Sequence, residues 1–129
     1  MIMVDLVGAG MNPGNPKIAW NRKNEKMYLK FTFSGKLTDL AAAEAIEQWK
    51  TAFHSKSGDK IILIWDCLDM DGFDYEARQK WQHAMNELKP QINEIWLITN
   101  SKLFLVSAKV MGVLTSIPIH VVDAETKIM

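Results

Sequence analysis

Ile61-Ile62-Leu63-Ile64-Trp65-Asp66, running into Cys67-Leu68-Asp69-Met70-Asp71-Gly72-Phe73-Asp74, is the stretch whose reading decides the fold. An apolar run without a polar interruption from Ile61 to Trp65 reads as a strand buried on both faces, because a half-exposed strand would alternate. The Asp- and Gly-rich break after it reads as a loop, and Asp74 stands where a helix N-cap belongs, ahead of a helical pattern over residues 75–88. A central strand over 60–66 is therefore expected, with an acidic loop and a helix N-terminus at its carboxyl end. Open α/β sheets place their binding sites there.

Upstream of that unit, residues 18–22 and 27–33 alternate like two strands, with Met27, Leu29, Phe31 and Phe33 on one face and Asn24-Glu25 as the turn. Thr38 is placed to cap a helix over 39–54, in which Ala42, Ala45, Ile46, Trp49, Ala52 and Phe53 share a face. Downstream, the 75–88 helix turns Ala77, Trp81, Ala84, Met85 and Leu88 inward and Arg78, Lys80, Gln82 and Glu87 to water, with Pro90 just past its end. Residues 92–99 form a further apolar strand. Ser101 then caps a helix that presents Phe104, Leu105, Ala108, Met111 and Val113 or Leu114, and residues 117–122 close the pattern as a short strand. The order ββαβαβαβ makes an α/β domain, in which strands joined by single helices pair in parallel through right-handed crossovers. A five-stranded mixed sheet with the 60–66 strand at its centre is the expected result.

Residues 8–16, Gly-Ala-Gly-Met-Asn-Pro-Gly-Asn-Pro, are too dense in glycine, proline and asparagine to hold a helix or strand. The domain is accordingly expected over 17–123, with 1–16 as a leader or an extra edge strand and 124–129 as a short tail. A chain of 129 residues suits one domain of ordinary size. Fifteen basic residues balance fifteen acidic ones, so no net field draws the molecule to nucleic acid or anionic lipid. Cys67 is the only cysteine, which excludes an internal disulfide and a Cys-based zinc cluster and fits a reducing, cytoplasmic compartment. No apolar run approaches the roughly 20 residues of a membrane span, and residues 1–7 lack the basic flank of a signal peptide. Membrane insertion is not expected.

Phe33-Ser34-Gly35-Lys36-Leu37-Thr38 leading into the first helix, with Ile64-Trp65-Asp66 and Met70-Asp71-Gly72-Phe73-Asp74 at the central strand, resembles the STAS-like domains related to anti-sigma-factor antagonists. Residues 77–82 and 95–101 look like an uncharacterised bacterial branch of that group. The resemblance spans about residues 17–123 and implies a mixed sheet with helices mainly on one face, used as a regulatory or protein-interaction module. In the antagonists an Asp before the second helix is followed by a serine that a kinase phosphorylates. Placing Asp74 on that Asp puts Tyr75 at the serine position and Glu76 after it, so the phosphorylatable serine is missing. Added phosphate beside Glu76 would also be repelled.

Asp66, Asp69, Asp71, Asp74 and Glu76 form the densest acidic cluster and invite a metal reading. An EF-hand frame on Asp69-Met70-Asp71-Gly72 puts Cys67 at the first ligand position and Arg78 at the last, so the frame fails twice. Acidic residues at a helix entry already serve its N–H groups and dipole. No metal and no cofactor is expected. Cys67 with His54, His83 or His120 could supply a nucleophile and base, but nothing in the spacing positions them, and a thiol at the end of a buried strand is usually inert. Gly8 to Gly14 lacks the preceding strand and following helix of a phosphate loop. Trp20, Trp49, Trp65, Trp81 and Trp96 all fall on expected buried stripes, so core packing is favoured over an aromatic pocket.

Two functions follow as expectations. The first is a non-enzymatic STAS-like interaction module without a serine switch, using the 66–78 segment. The second is a small-molecule binding domain, with an apolar or anionic ligand near the helix N-termini at Asp74 and Ser101. The candidate residues for a partner or ligand are Asp66, Asp69, Asp71, Asp74, Tyr75, Arg78 and Ser101. Apolar residues on the sheet margins, Trp20, Ile119 and Val121, also suggest a homodimer to which residues 1–7 or the last strand contribute.

Overall fold

The computed structural model describes residues 16–128, so residues 1–15, including the glycine-rich segment and the dimer contribution expected of 1–7, lie outside the described part. Strands β1 (Lys17–Lys23) and β2 (Lys26–Leu37) form an antiparallel hairpin with Lys23 opposite Lys26. Its two-residue turn has positive φ at both positions, 52° at Asn24 and 65° at Glu25. That is a type I′ geometry, whose twist matches that of the flanking strands. β2 then pairs in parallel with β3 (Ile61–Phe73), β3 with β4 (Ile92–Ile98), and β4 with β5 (Ile119–Val122). The mixed sheet runs β1-β2-β3-β4-β5, so the apolar strand is central as expected, and Trp65 is buried.

Helices α1 (Asp39–Ser55), α2 (Tyr75–Leu88) and α3 (Lys102–Thr115) supply the crossovers. Thr38 caps α1 by accepting from the Ala41 N–H at 3.1 Å, and Ser101 caps α3 by accepting from the Phe104 N–H at 3.2 Å. The three helices cover one face of the sheet, where Leu29, Phe31, Phe33, Leu63, Trp65 and Leu97 join their buried sides in one core. At its centre Phe31, Trp49, Trp65 and Trp81 meet mostly edge to face, with Phe31 5.3 Å from Trp49 and 5.9 Å from Trp81. Such contacts add to the area each ring buries. Trp20 is only half-buried on the edge strand, with Lys56 Nζ 5.7 Å above its ring. Tyr28, Ile64, Trp96 and Ile98 point to the opposite face and pack with Ile128, so the residues after β5 cover part of the sheet.

Two readings of the elements need correction. β3 does not stop at Asp66 but continues to Phe73, because β2 also runs on to Leu37 and offers it a partner. Thr32 pairs with Asp66 and Ser34 with Asp69, then Gly35 with Met70 and Lys36 with Gly72, so β3 inserts an extra residue twice. Bulges of this kind let an Asp/Gly-rich run stay in a ladder while its side chains are re-aimed. On α3 the core face is Phe104, Ala108, Met111 and Thr115, whereas Val113 and Leu114 face solvent. Met27 keeps the alternation of Leu29, Phe31 and Phe33 but lies beside the hairpin turn and is exposed.

Candidate functional site

The bulged end of β3 brings Phe73 opposite Leu37, and the Asp74 N–H donates to the Leu37 carbonyl at 3.0 Å. Asp74 thereby stands beside the start of α1 as well as the start of α2. Its carboxylate makes no capping bond to α2, which corrects the expected role. Instead Oδ2 accepts from the Asp39 N–H at 3.2 Å in the first turn of α1, and Oδ1 pairs with Lys36 Nζ at 3.0 Å. Lys36 above all, then the Asp39 N–H, hold the Asp74 carboxyl below its ordinary value against a slight burial. Asp39 is in turn bonded by Lys80 of α2. One carboxylate thus ties together the end of β2 and the entries of two helices.

The other acidic residues do not converge. Asp66 accepts from the Leu68 N–H at 3.2 Å and lies 4.0 Å from Lys30, which also bonds Glu125 at 2.7 Å beside the second face of the sheet. Asp69 and Asp71 are exposed and have no ion pair among the described residues. Among those residues no group of three or more His, Cys, Asp and Glu side chains is placed to hold a metal ion. Tyr75 is 65% exposed, and its hydroxyl accepts from Gln79 Nε2 at 2.9 Å. The Ser101 hydroxyl is committed to its cap, with the Ser101 N–H donating to Thr99 Oγ1 at 3.0 Å.

Arg78, one turn into α2, is the candidate residue that meets a cavity. This space of about 70 Å³ lies between the sheet and helices α2 and α3, walled almost wholly by apolar atoms of Trp65, Cys67, Phe73, Trp81, Phe104 and Met111, with Arg78 and Ser107 also among its lining residues. The Arg78 guanidinium has no hydrogen bond or ion pair among the described residues. The buried indole N–H groups of Trp49 and Trp65 both lack a partner among the described residues, and Trp65 is the one of the two that lines the cavity. Burial, aided by the charge of Asp66, pushes the Cys67 thiol up to about 12. The thiol is therefore neutral, and no histidine lines the cavity with it. His120 sits on the other face, bonded to Glu94 at 3.2 Å, with its ring centroid 4.5 Å from that of Trp96 and tilted 33° to it.

Met70, Phe73, Phe104 and Ser107 were not among the candidate residues, yet they wall the cavity. Met70 and Phe73 look like loop residues until β2 is seen to pair with them. An available signal was that the acidic run is broken by apolar residues, which a bulged strand can turn inward.

No family model and no curated protein matches the sequence. The crystal structure of an uncharacterised DUF3478-family protein with a SpoIIAA-like fold, from Shewanella loihica PV-4, superposes with a TM-score of 0.76 at 17% identity, covering 87% of this chain and 89% of that one. The chain has a SpoIIAA-like fold. At that identity the likeness concerns architecture, and it agrees with the STAS-like resemblance carried by Phe33 to Thr38 and Ile64 to Asp74. On the SpoIIAA-like frame, the segment from β3 into α2 is an ordered ladder and helix entry that contains neither Ser nor Thr between residues 66 and 78. Among the described residues no helix is long and apolar enough to cross a membrane.

Proposed function

We propose that this SpoIIAA-like domain is a non-enzymatic interaction module that binds a protein partner through the end of β3 and the start of α2, without a serine phosphoswitch. The observation that carries the reading is the exposure of Leu68 at 45% and Tyr75 at 65% in the same segment as Asp69 and Asp71, which have no ion pair among the described residues. An aromatic anchor beside carboxylates is the composition of an interface that meets a basic partner. The β2–β3 ladder holds the segment in advance, so little ordering entropy is lost on docking. A single cysteine suits a reducing cytoplasm. Affinity capture from host lysate with the wild-type chain and with a Leu68→Asp/Tyr75→Ala variant tests this. Proteins held by the first and lost by the second, with circular dichroism unchanged, support the reading, and identical captured sets reject it.

A second reading is favoured by a different observation. The cavity between the sheet and helices α2 and α3 is walled almost wholly by apolar atoms and has Arg78, without an ion pair among the described residues, in its lining, which suits a ligand with a short apolar body and an anionic head. Titration with octanoate should quench tryptophan fluorescence saturably, and Arg78→Gln should weaken the effect. Octanol binding as well as octanoate would remove Arg78 from the site.

A further inference from the structure

Helix α3 is apolar on two sides. Phe104, Ala108, Met111 and Thr115 are buried against the sheet, while Leu103, Val106, Val110 and Val113 are 65%, 58%, 41% and 79% exposed, with Leu114 beside them at 57%. At 100° per residue the two rows point roughly 150° apart, so the outer row is not the margin of the inner one. A helix packed on a sheet ordinarily turns a polar face to water. A contiguous apolar stripe, in contrast to scattered residues, marks a surface that is covered in use. Leu103, Val106, Val110 and Val113 follow one another at intervals of three, four and three residues. That is the a and d spacing of a coiled-coil seam, matched to the groove of a second helix.

The flanking charges indicate which helix. Lys102 and Lys109 each precede an a residue and so lie along the same flank of the seam, exposed and without an ion pair among the described residues. The helix contains no Asp or Glu. A second copy of α3 would therefore bring no carboxylate to these lysines, whichever way the two helices ran. An anionic membrane would gain little from two lysines on a chain of zero net charge. We propose that the outer face of α3 docks an amphipathic helix of a partner protein, one with an apolar a/d seam and acidic residues along the flank that meets Lys102 and Lys109. The inference rests on the reading of the domain as an interaction module, but it uses a surface separate from Leu68 and Tyr75, so the two fail separately.

The test uses the full chain and two synthetic three-heptad peptides with Leu at a and d, one with Glu and one with Lys at e and g. The Glu peptide is expected to bind with amide shifts confined to α3 and its neighbours, and the Lys peptide to bind about tenfold more weakly. Val106→Glu/Val110→Glu should abolish binding with circular dichroism unchanged, since both side chains face solvent, while Leu68→Asp/Tyr75→Ala should leave it intact. Equal binding of the two peptides, or no binding of either, overturns the proposal. So does a wild-type dimer in sedimentation that Val110→Glu dissociates, which would make a second copy the occupant. Co-sedimentation with phosphatidylglycerol vesicles that the same substitution abolishes would make it a membrane and overturns the proposal equally.

Discussion

Asp74 stands at the place of a cap but its carboxylate serves a different helix, and that distinction is measurable. Replacing it by Asn keeps an acceptor for the Asp39 N–H and removes the charge that pairs with Lys36. The folded-state pKa lies below the ordinary 3.8, so the charge contributes its full stabilisation above that value and loses it as pH falls through the folded value. The wild type should therefore melt above Asp74→Asn at neutral pH, with the gap closing in acid. A gap that widened on acidification would show that Lys36 is not the partner in solution. Cys67 offers a second residue-scale test, since with a pKa of about 12 only about one thiol in ten thousand is ionised at pH 8. Native protein should hardly react with a disulfide reagent at that pH, and labelling should follow unfolding in urea. Rapid stoichiometric labelling without denaturant would mean that the cavity beside Cys67 opens readily.

Among the elements, the hairpin turn carries an unfavourable choice. Type I′ geometry asks for positive φ at both central residues, which Asn tolerates and Glu does not, so the conformation of Glu25 opposes the pairing of β1 with β2. Glu25→Gly should stabilise the protein by about 0.5 kcal/mol, the relief of strain exceeding the entropy that glycine adds to the unfolded chain. A shift of the urea midpoint to lower concentration would contradict it. The turn, the caps at Thr38 and Ser101 and the full range of α2 were legible in the sequence, because each depends on residues only a few positions apart. The continuation of β3 was not, since the register of Ser34 to Leu37 against Asp69 to Phe73 is non-local and twice bulged. The partner of Asp74 was hidden for the same reason, as Asp39 lies 35 positions away. On α3 periodicity alone could not decide between two apolar rows. The buried row ends in Thr115, whose hydroxyl is satisfied by the Met111 carbonyl at 2.7 Å, while hydrophobicity would have favoured Val113 or Leu114.

At the scale of the whole molecule the sheet has two faces, and among the described residues the helices cover only one. The uninterrupted run from Ile61 to Trp65 already implied burial on both faces, which raises the question of what covers the second. Part of the answer is the chain after β5, where the 3₁₀ turn Glu125–Lys127 delivers Ile128 onto Tyr28, Ile64, Trp96 and Ile98. Glu125 fastens this segment to Lys30 at 2.7 Å, and Lys127 pairs with Asp123 at 2.7 Å within it. The Trp96 N–H donates to Glu94 at 3.0 Å, so the face is closed around a satisfied indole. Ile128 is only 2% exposed, and its truncation would remove the aliphatic cover from a small cluster with few other neighbours. Ile128→Ala should cost about 2 kcal/mol, the low end for such a deletion because a terminal segment can shift into the space it leaves. The urea midpoint should fall with the m-value unchanged, and Trp96 should become more accessible to acrylamide than the tryptophans under the helices. An unchanged midpoint would mean that this segment does not hold the second face in solution. Peptide binding on α3 should survive the substitution in either case, since α3 packs on the opposite side of the sheet from Ile128.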